Sequence, residues 1–304
     1  MNITDSLLLS RTGKVIKNRT VLAAMTNKQS HDDGILSEDE KKWLIRRAMG
    51  EFAITTTAAT NVTEHGRGWV GEMGVWGDHQ IPELTNLARE LKKTGTVSLA
   101  QLFHGGMRAP QSINGVQPIS ASINTEPGMD GVYTRSLDNT EVIEMIQSFT
   151  DAAIRCQKAG FDGVELHGAH SYLICQFLGI ITNRRQDEWG GDLQGRSKFL
   201  REIITSIRKA TGPEFLIVVR ISPIIEKIGI YLEDSLILAN MLSKMEIDMI
   251  HISCWDVFQE VDDEKDSKSL TRRFRDVIPS NIPCLLYTSP SPRDVEESRM
   301  PSSA

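Results

Sequence analysis

From Thr20 onward the chain alternates short, β-branched apolar runs with longer segments of helical period, the signature of repeated βα units and a parallel sheet. The predicted strands are Thr20–Met25, Phe52–Thr56, Val97–Phe103, Asp162–His167, Phe215–Ile221 and Asp248–Ser253. A helix over Ser267–Val277 follows, and Ile282–Leu285 begins a seventh strand, so about six and a half units are visible. Two helices carry clear end signals. Asp138 with Glu141 forms a capping-box pattern ahead of the stripe Val142, Ile146, Phe149, Ala153 and Cys156, and Gly160 stops it. Phe199, Leu200, Ile203, Ile204 and Ile207 share a second helical face that ends at Lys209, Gly212 and Pro213. Both helices lead into the next strand within a few residues, which favours a wound barrel or doubly wound sheet over separate α and β domains. A dinucleotide-binding sheet would place a glycine-rich turn after its first strand, where this chain has Ala23-Ala24-Met25-Thr26. The expected fold is therefore an α/β (β/α)8 TIM barrel.

Composition narrows the function. The chain has 304 residues, 40% of them hydrophobic and 24% charged, enough for one large barrel with a sizeable core. A formal charge of −6 without a Lys/Arg-rich run offers no field for nucleic acid or anionic lipid. Cys156, Cys175, Cys254 and Cys284 are widely spaced and lack a C-x-x-C pair, so no zinc or iron–sulfur site is expected. Leu7-Leu8-Leu9 is too short for a signal peptide and no segment approaches a membrane span, which points to a reducing, cytoplasmic setting. A homo-oligomer is allowed.

The active site of a β/α barrel lies at the C-terminal ends of its strands. Four predicted strands carry a polar residue there: Thr26, Gln101, His167 and Arg220. Alternation puts Gln101 on the face of Val97 and Leu99, and Arg220 on that of Leu216 and Val218, so both point into the barrel. A buried arginine needs an acceptor, and two are open to Arg220: an internal carboxylate such as Glu165, or an anionic ligand. The densest cluster is Glu165-Leu-His167-Gly-Ala-His170-Ser-Tyr172, where imidazole donors and a phenol together can polarise a carbonyl and deliver a proton. The same histidines could cap a loop, or with Asp256 could ligate the metal of a lyase or aldolase.

These segments, taken in order, resemble the old yellow enzyme family of FMN-dependent NAD(P)H oxidoreductases. Asn18 to Thr26 is similar to its first-strand motif, Ala59-Thr60-Asn61-Val62 to its second, and Ala100 to Gly106 to its third. Glu165 to Tyr172, Phe177-Leu178, Asn183-Arg184-Arg185, Asp187 to Gly191 and Arg196 resemble the long signature after strand four, and Val218 to Ser222 resembles strand five. The resemblance implies that Ala24, Met25, Thr26, Ala59, Gln101 and Arg220 contact FMN. It further implies that His167 and His170 hold the oxygen of an enone or nitroalkene while Tyr172 donates a proton. NADPH or NADH would be the reductant in a ping-pong cycle, and no metal takes part. Ala24 stands where the family more often has proline.

The resemblance fades at Pro283-Cys284-Leu285, before the loops after strands seven and eight where phosphate-binding barrels hold their phosphate. The expectation is a barrel over residues 1–285 with strands seven and eight partly or wholly missing, and a foreign tail over 286–304. Flavin binding without turnover is then an alternative outcome. His104 reads as a loop or supporting residue, Trp43, Trp69, Trp76 and Trp255 as core or rim packing, Trp189 as a loop anchor, and Asp262 to Asp266 as a solvated loop.

Overall fold

A computed structural model describes residues 2–126, 131–254 and 268–286. Seven strands, β1 (Val21–Leu22), β2 (Ile54–Asn61), β3 (Val97–Phe103), β4 (Gly163–Gly168), β5 (Leu216–Ile221), β6 (Met249–Ile252) and β7 (Cys284–Leu286), pair in chain order. Every ladder between neighbours is parallel. The helices α1 (Glu38–Met49), α2 (Ile81–Lys93), α3 (Asn139–Ala159), α4 (Leu173–Leu178), α5 (Lys198–Thr211), α6 (Leu232–Leu242) and α7 (Leu270–Val277) lie among the connections. Among the described residues no eighth strand joins β7 to β1, and the molecule is a (β/α)8 barrel incomplete at that seam. The expected boundary at 285/286 falls inside β7, and residues 287–304 lie outside the described part, as do Trp255, Asp256 and Asp262 to Asp266.

Strand alternation sorts the core into two clusters. Outward residues such as Ala100, Leu102, Val164, Leu166, Ile217, Val219 and Ile250 pack with the helices, where Phe149 meets Phe199 edge-on and Phe177 stacks on Phe199 at 4.3 Å between ring centroids. Each buried phenylalanine contributes roughly 1.5–3 kcal/mol relative to exposure. Inward residues Ile54, Val97, Leu99, Leu216, Val218 and Met249 form the second cluster, closed by Leu9 and Ile16. These two come from an antiparallel hairpin, Leu7–Leu9 with Lys14–Ile16, that plugs the barrel at the N-terminal ends of its strands. Arg11 in the hairpin turn ties it to Asp248 through Nε at 2.8 Å and Nη2 at 2.9 Å.

The capping box at Asp138 and Glu141 forms as expected, and Gly160 ends α3 in the left-handed region at φ 96°. Two strands differ from expectation. The first keeps ladder pairing only at Val21–Leu22, because residues 23–26 leave the sheet. The second runs to Asn61, five residues past the predicted end at Thr56. Its buried hydroxyls find threonine partners: Thr55 with Thr96, just ahead of β3, at 3.0 Å, and Thr57 with Thr60 at 3.1 Å across the irregularity between Thr56 and Ala59. Paired hydroxyls let a polar-looking run sit fully buried.

Candidate active site

The strand ends and the chain leaving β1 enclose a cavity of about 180 Å³ at the C-terminal face. Ala24, Thr26, Ala59, Gln101, His167, His170, Tyr172 and Arg220 all line it, together with Trp69. Met25 is the exception among the expected residues: it is not among the residues that line the cavity, and it is 50% exposed. A larger cleft of about 480 Å³ opens at the far end beside Arg208 and Lys244. Arg208 there is already bound to Asp248 and the Glu246 carbonyl, so that cleft has the size without the chemistry.

The two histidines and the tyrosine meet because the chain after β4 turns through a rare conformation. His170 and Ser171 have φ of 57° and 63°, a left-handed pair costing about 1–2 kcal/mol per residue. Tertiary bonds hold it: the His170 N–H donates to Ser222 Oγ at 3.2 Å, Arg108 Nη1 donates to the His170 carbonyl at 2.8 Å, and Gln176 Nε2 donates to that of Ser171 at 2.7 Å. The result is a triangle of edge-on rings. His167 lies 5.0 Å from His170 and 4.9 Å from Tyr172 between centroids, with interplanar angles of 81° and 78°. Phe103 packs edge-on against Tyr172 at 4.4 Å, and the Arg108 guanidinium sits 4.9 Å from the centre of the same ring.

Both histidines are held neutral. Burial, then the neighbouring His170 ring and the Arg220 charge, pushes His167 well below the ordinary imidazole range, and burial with Arg220 lowers His170 to about 3. Neutral imidazoles each offer one N–H to a substrate oxygen without presenting a competing cation. The Ala169 N–H points to His167 Nδ1 at 3.4 Å, which leaves Nε2–H as the donor. His170 Nε2 lies 2.8 Å from Ser253 Oγ. Burial raises the Tyr172 phenol, with Arg108 opposing, so its proton is present across the neutral range.

Beneath the triangle lies a polar floor. Arg220, 5% exposed, donates to the Ala24 carbonyl at 3.2 Å and Ser253 Oγ at 3.0 Å. Glu165 acts on it as a nearby charge, while its carboxylate oxygens face Gln101 Nε2 and His251 Nδ1, both at 2.7 Å. The internal carboxylate expected for Arg220 is therefore present as a nearby charge. Burial opposes the charge on Glu165, but His251, Arg220 and Gln101 outweigh it and lower its pKa. Burial keeps His251 below the usual imidazole value.

Ser253, Arg108, Trp69 and His251 were not singled out from sequence as site residues. The inward alternation that picks out Gln101 and Arg220 holds equally for His251 on β6, and Ser253 directly follows that strand. Arg108 and Trp69 come from loops and have no such periodic signal. His104 is buried in a supporting role, accepting the Gly106 N–H on Nδ1 at 3.0 Å, and burial lowers its pKa to about 3. Trp189 anchors its loop through Nε1 to Asn139 at 2.5 Å. Among the described residues no three His, Cys, Asp or Glu side chains are grouped to hold a metal ion, and Asp256 lies outside them.

The lining suits the chemistry of a planar heteroaromatic ring with an imide edge: small Ala24 and Ala59 leave the main chain approachable, and the Gln101 amide and Arg220 guanidinium border the same cavity. Fold and site thus define a flavin-type oxidoreductase barrel. The chain belongs to the NADH:flavin oxidoreductase / NADH oxidase family, whose sequence profile matches residues 11–278. It is 34% identical over 252 residues to "Probable NADH-dependent flavin oxidoreductase YqiG" of Bacillus subtilis (strain 168), covering 81% of this chain and 67% of that protein. It is 34% identical to the NADH:acrylate oxidoreductase of Vibrio harveyi, again over 81% of this chain but only 25% of that longer protein. The crystal structure of the old yellow enzyme homologue from Zymomonas mobilis superposes with a TM-score of 0.84 at 26% identity, covering 98% of this chain and 85% of that one. FMN and NAD(P)H are the cofactors of this class. No helix among the described residues is long and apolar enough to cross a membrane.

Proposed function

We propose that the site reduces alkenes activated by a conjugated carbonyl or nitro group, with NADPH or NADH as reductant. The observation that carries this reading is the meeting, in one cavity, of two neutral histidines, one protonated tyrosine and a Gln101–Arg220 floor. FMN, when bound, would supply hydride transfer, accepting from the nicotinamide and donating to the alkene. His167 Nε2–H and the His170 imidazole grip the substrate oxygen, drawing electron density from the β-carbon. Tyr172 holds a proton at its phenol oxygen for the α-carbon. Arg220 places positive charge at the floor, where it favours an electron-rich ring. Nicotinamide and alkene would meet the same face, lined by His167, His170 and Tyr172, one after the other in a ping-pong order. Two longer relatives, of which the match covers 25% and 27%, are named for acrylate and fumarate, alkenes conjugated to a carboxylate.

The test is an anaerobic absorbance series on the purified chain with FMN. Retained flavin should bleach with NADPH and recover with cyclohexenone. Retention without bleaching would make the chain a flavin-binding remnant, and bleaching without recovery would remove the alkene from the proposal.

A further inference from the structure

We propose that Glu165 is a positioning residue that fixes which end of the Gln101 carboxamide faces the cavity, so that the floor reads an N–H flanked by carbonyls. The proposal rests on the flavin reading of the site. Gln101 of β3 and Glu165 of β4 are register partners on the inward face, 2% and 1% exposed. A carboxamide has two ends of nearly equal size and opposite hydrogen-bonding sense, and its environment must choose between them. An ionised carboxylate only accepts. With Glu165 Oε1 at 2.7 Å, the Gln101 NH₂ must face it, because the opposite rotamer would set carbonyl oxygen against carboxylate oxygen. Gln101 Oε1 is thereby left to the cavity that the residue lines.

His251 fixes the carboxylate in turn. Its Nδ1 faces Glu165 Oε2 at 2.7 Å, and its Nε2 has no hydrogen-bond partner among the described residues. A neutral ring therefore keeps its single proton on Nδ1, where the carboxylate can accept it. Glu165 is held from both sides by donors, and Arg220 supplies the nearby positive charge. The chain of orientation runs from β6 through β4 to β3 and ends as one acceptor on the cavity that Arg220 also lines. The pyrimidine edge of a flavin, with its N3–H between two carbonyls, complements that pattern.

The experiment compares binding of FMN and 3-methyl-FMN to the full chain by quenching of flavin fluorescence. The wild type should prefer FMN. Glu165→Gln removes the rule that orients Gln101, so its FMN affinity should fall about 10- to 100-fold while that for 3-methyl-FMN stays within about threefold. Equal losses for both flavins would show a merely structural role and overturn the proposal. Should Glu165→Gln fail to fold, wild type loaded with ¹⁵N3-labelled FMN decides: an N3–H proton protected from exchange supports an acceptor at Gln101, and exchange as fast as in free FMN overturns it. A wild type that binds neither flavin removes the flavin reading itself, and this proposal with it. Binding of both without discrimination removes the positioning role alone.

Discussion

Replacing Asp248 by asparagine should destabilise the barrel far from the site and more than its single charge suggests. Asp248 is buried between two guanidiniums: Arg11 reaches it at 2.8 and 2.9 Å, Arg208 at 3.2 Å, and the Ile217 N–H adds a bond at 2.8 Å. Its side chain is 1% exposed, that of Arg208 7% and that of Arg11 22%. The isosteric amide keeps the shape, loses the charge, and leaves Arg208 without its counter-ion. Breaking a buried pair in this way costs about 3–5 kcal/mol, and the partial exposure of Arg11 places the expectation near the lower end. At roughly 2–4 °C per kcal/mol for a large domain, the melting midpoint should fall by about 6–12 °C. Circular dichroism melts and urea titrations measure it, with Lys17→Met as control. Lys17 pairs with Glu51, whose side chain is 78% exposed, so that change should stay within about 0.5 kcal/mol. An Asp248→Asn midpoint no lower than that of the control would refute the view that this triad locks the hairpin plug to the barrel.

Further expectations concern the site. Tyr172→Phe should leave NADPH bleaching within about threefold and slow recovery by cyclohexenone about 10²- to 10³-fold, as stopped-flow absorbance would show; equal slowing of both phases would count against a proton-donor role. His170→Ala should raise the enone KM about 10- to 100-fold, since it removes one of two oxygen ligands, and an unchanged KM would place the oxygen elsewhere. Stability should also fall in acid. Unfolded histidines titrate near 6.5, whereas His104 and His170 fold with values of about 3 and His167 lies well below its ordinary range. Between those limits the unfolded chain binds more protons, so the stabilisation is full above pH 6.5 and is lost as pH falls toward 3, by up to about 1.4 kcal/mol per pH unit for each histidine. Equal urea midpoints at pH 7.5 and pH 5 would contradict this sign.

The parallel barrel was legible because βα alternation and short αβ connections leave few other folds, and strands three to six fall within a few residues of their expected bounds. Strand two was cut short because a Thr-Ala run looks polar until its hydroxyls are seen paired with other threonines, Thr55 with Thr96 and Thr57 with Thr60. The hairpin plug went unseen since Leu7-Leu8-Leu9 and Lys14–Ile16 carry no periodic pattern, and Arg11 finds Asp248 across 237 positions of sequence. Inward alternation located Gln101 and Arg220. It could not show that Glu165 binds Gln101 and His251, because a carboxylate between possible partners chooses among them by geometry. Arg108 over Tyr172 depends on a loop path that no local rule specifies.

The most direct test of the central claim is a crystal structure of the chain with FMN. The account predicts the flavin ring in the cavity between β1 and β5, its pyrimidine edge within hydrogen-bond distance of Gln101 Oε1 and the Arg220 guanidinium, and its exposed face under His167, His170 and Tyr172. Flavin bound elsewhere, or with its pyrimidine edge turned away from Gln101, would contradict it.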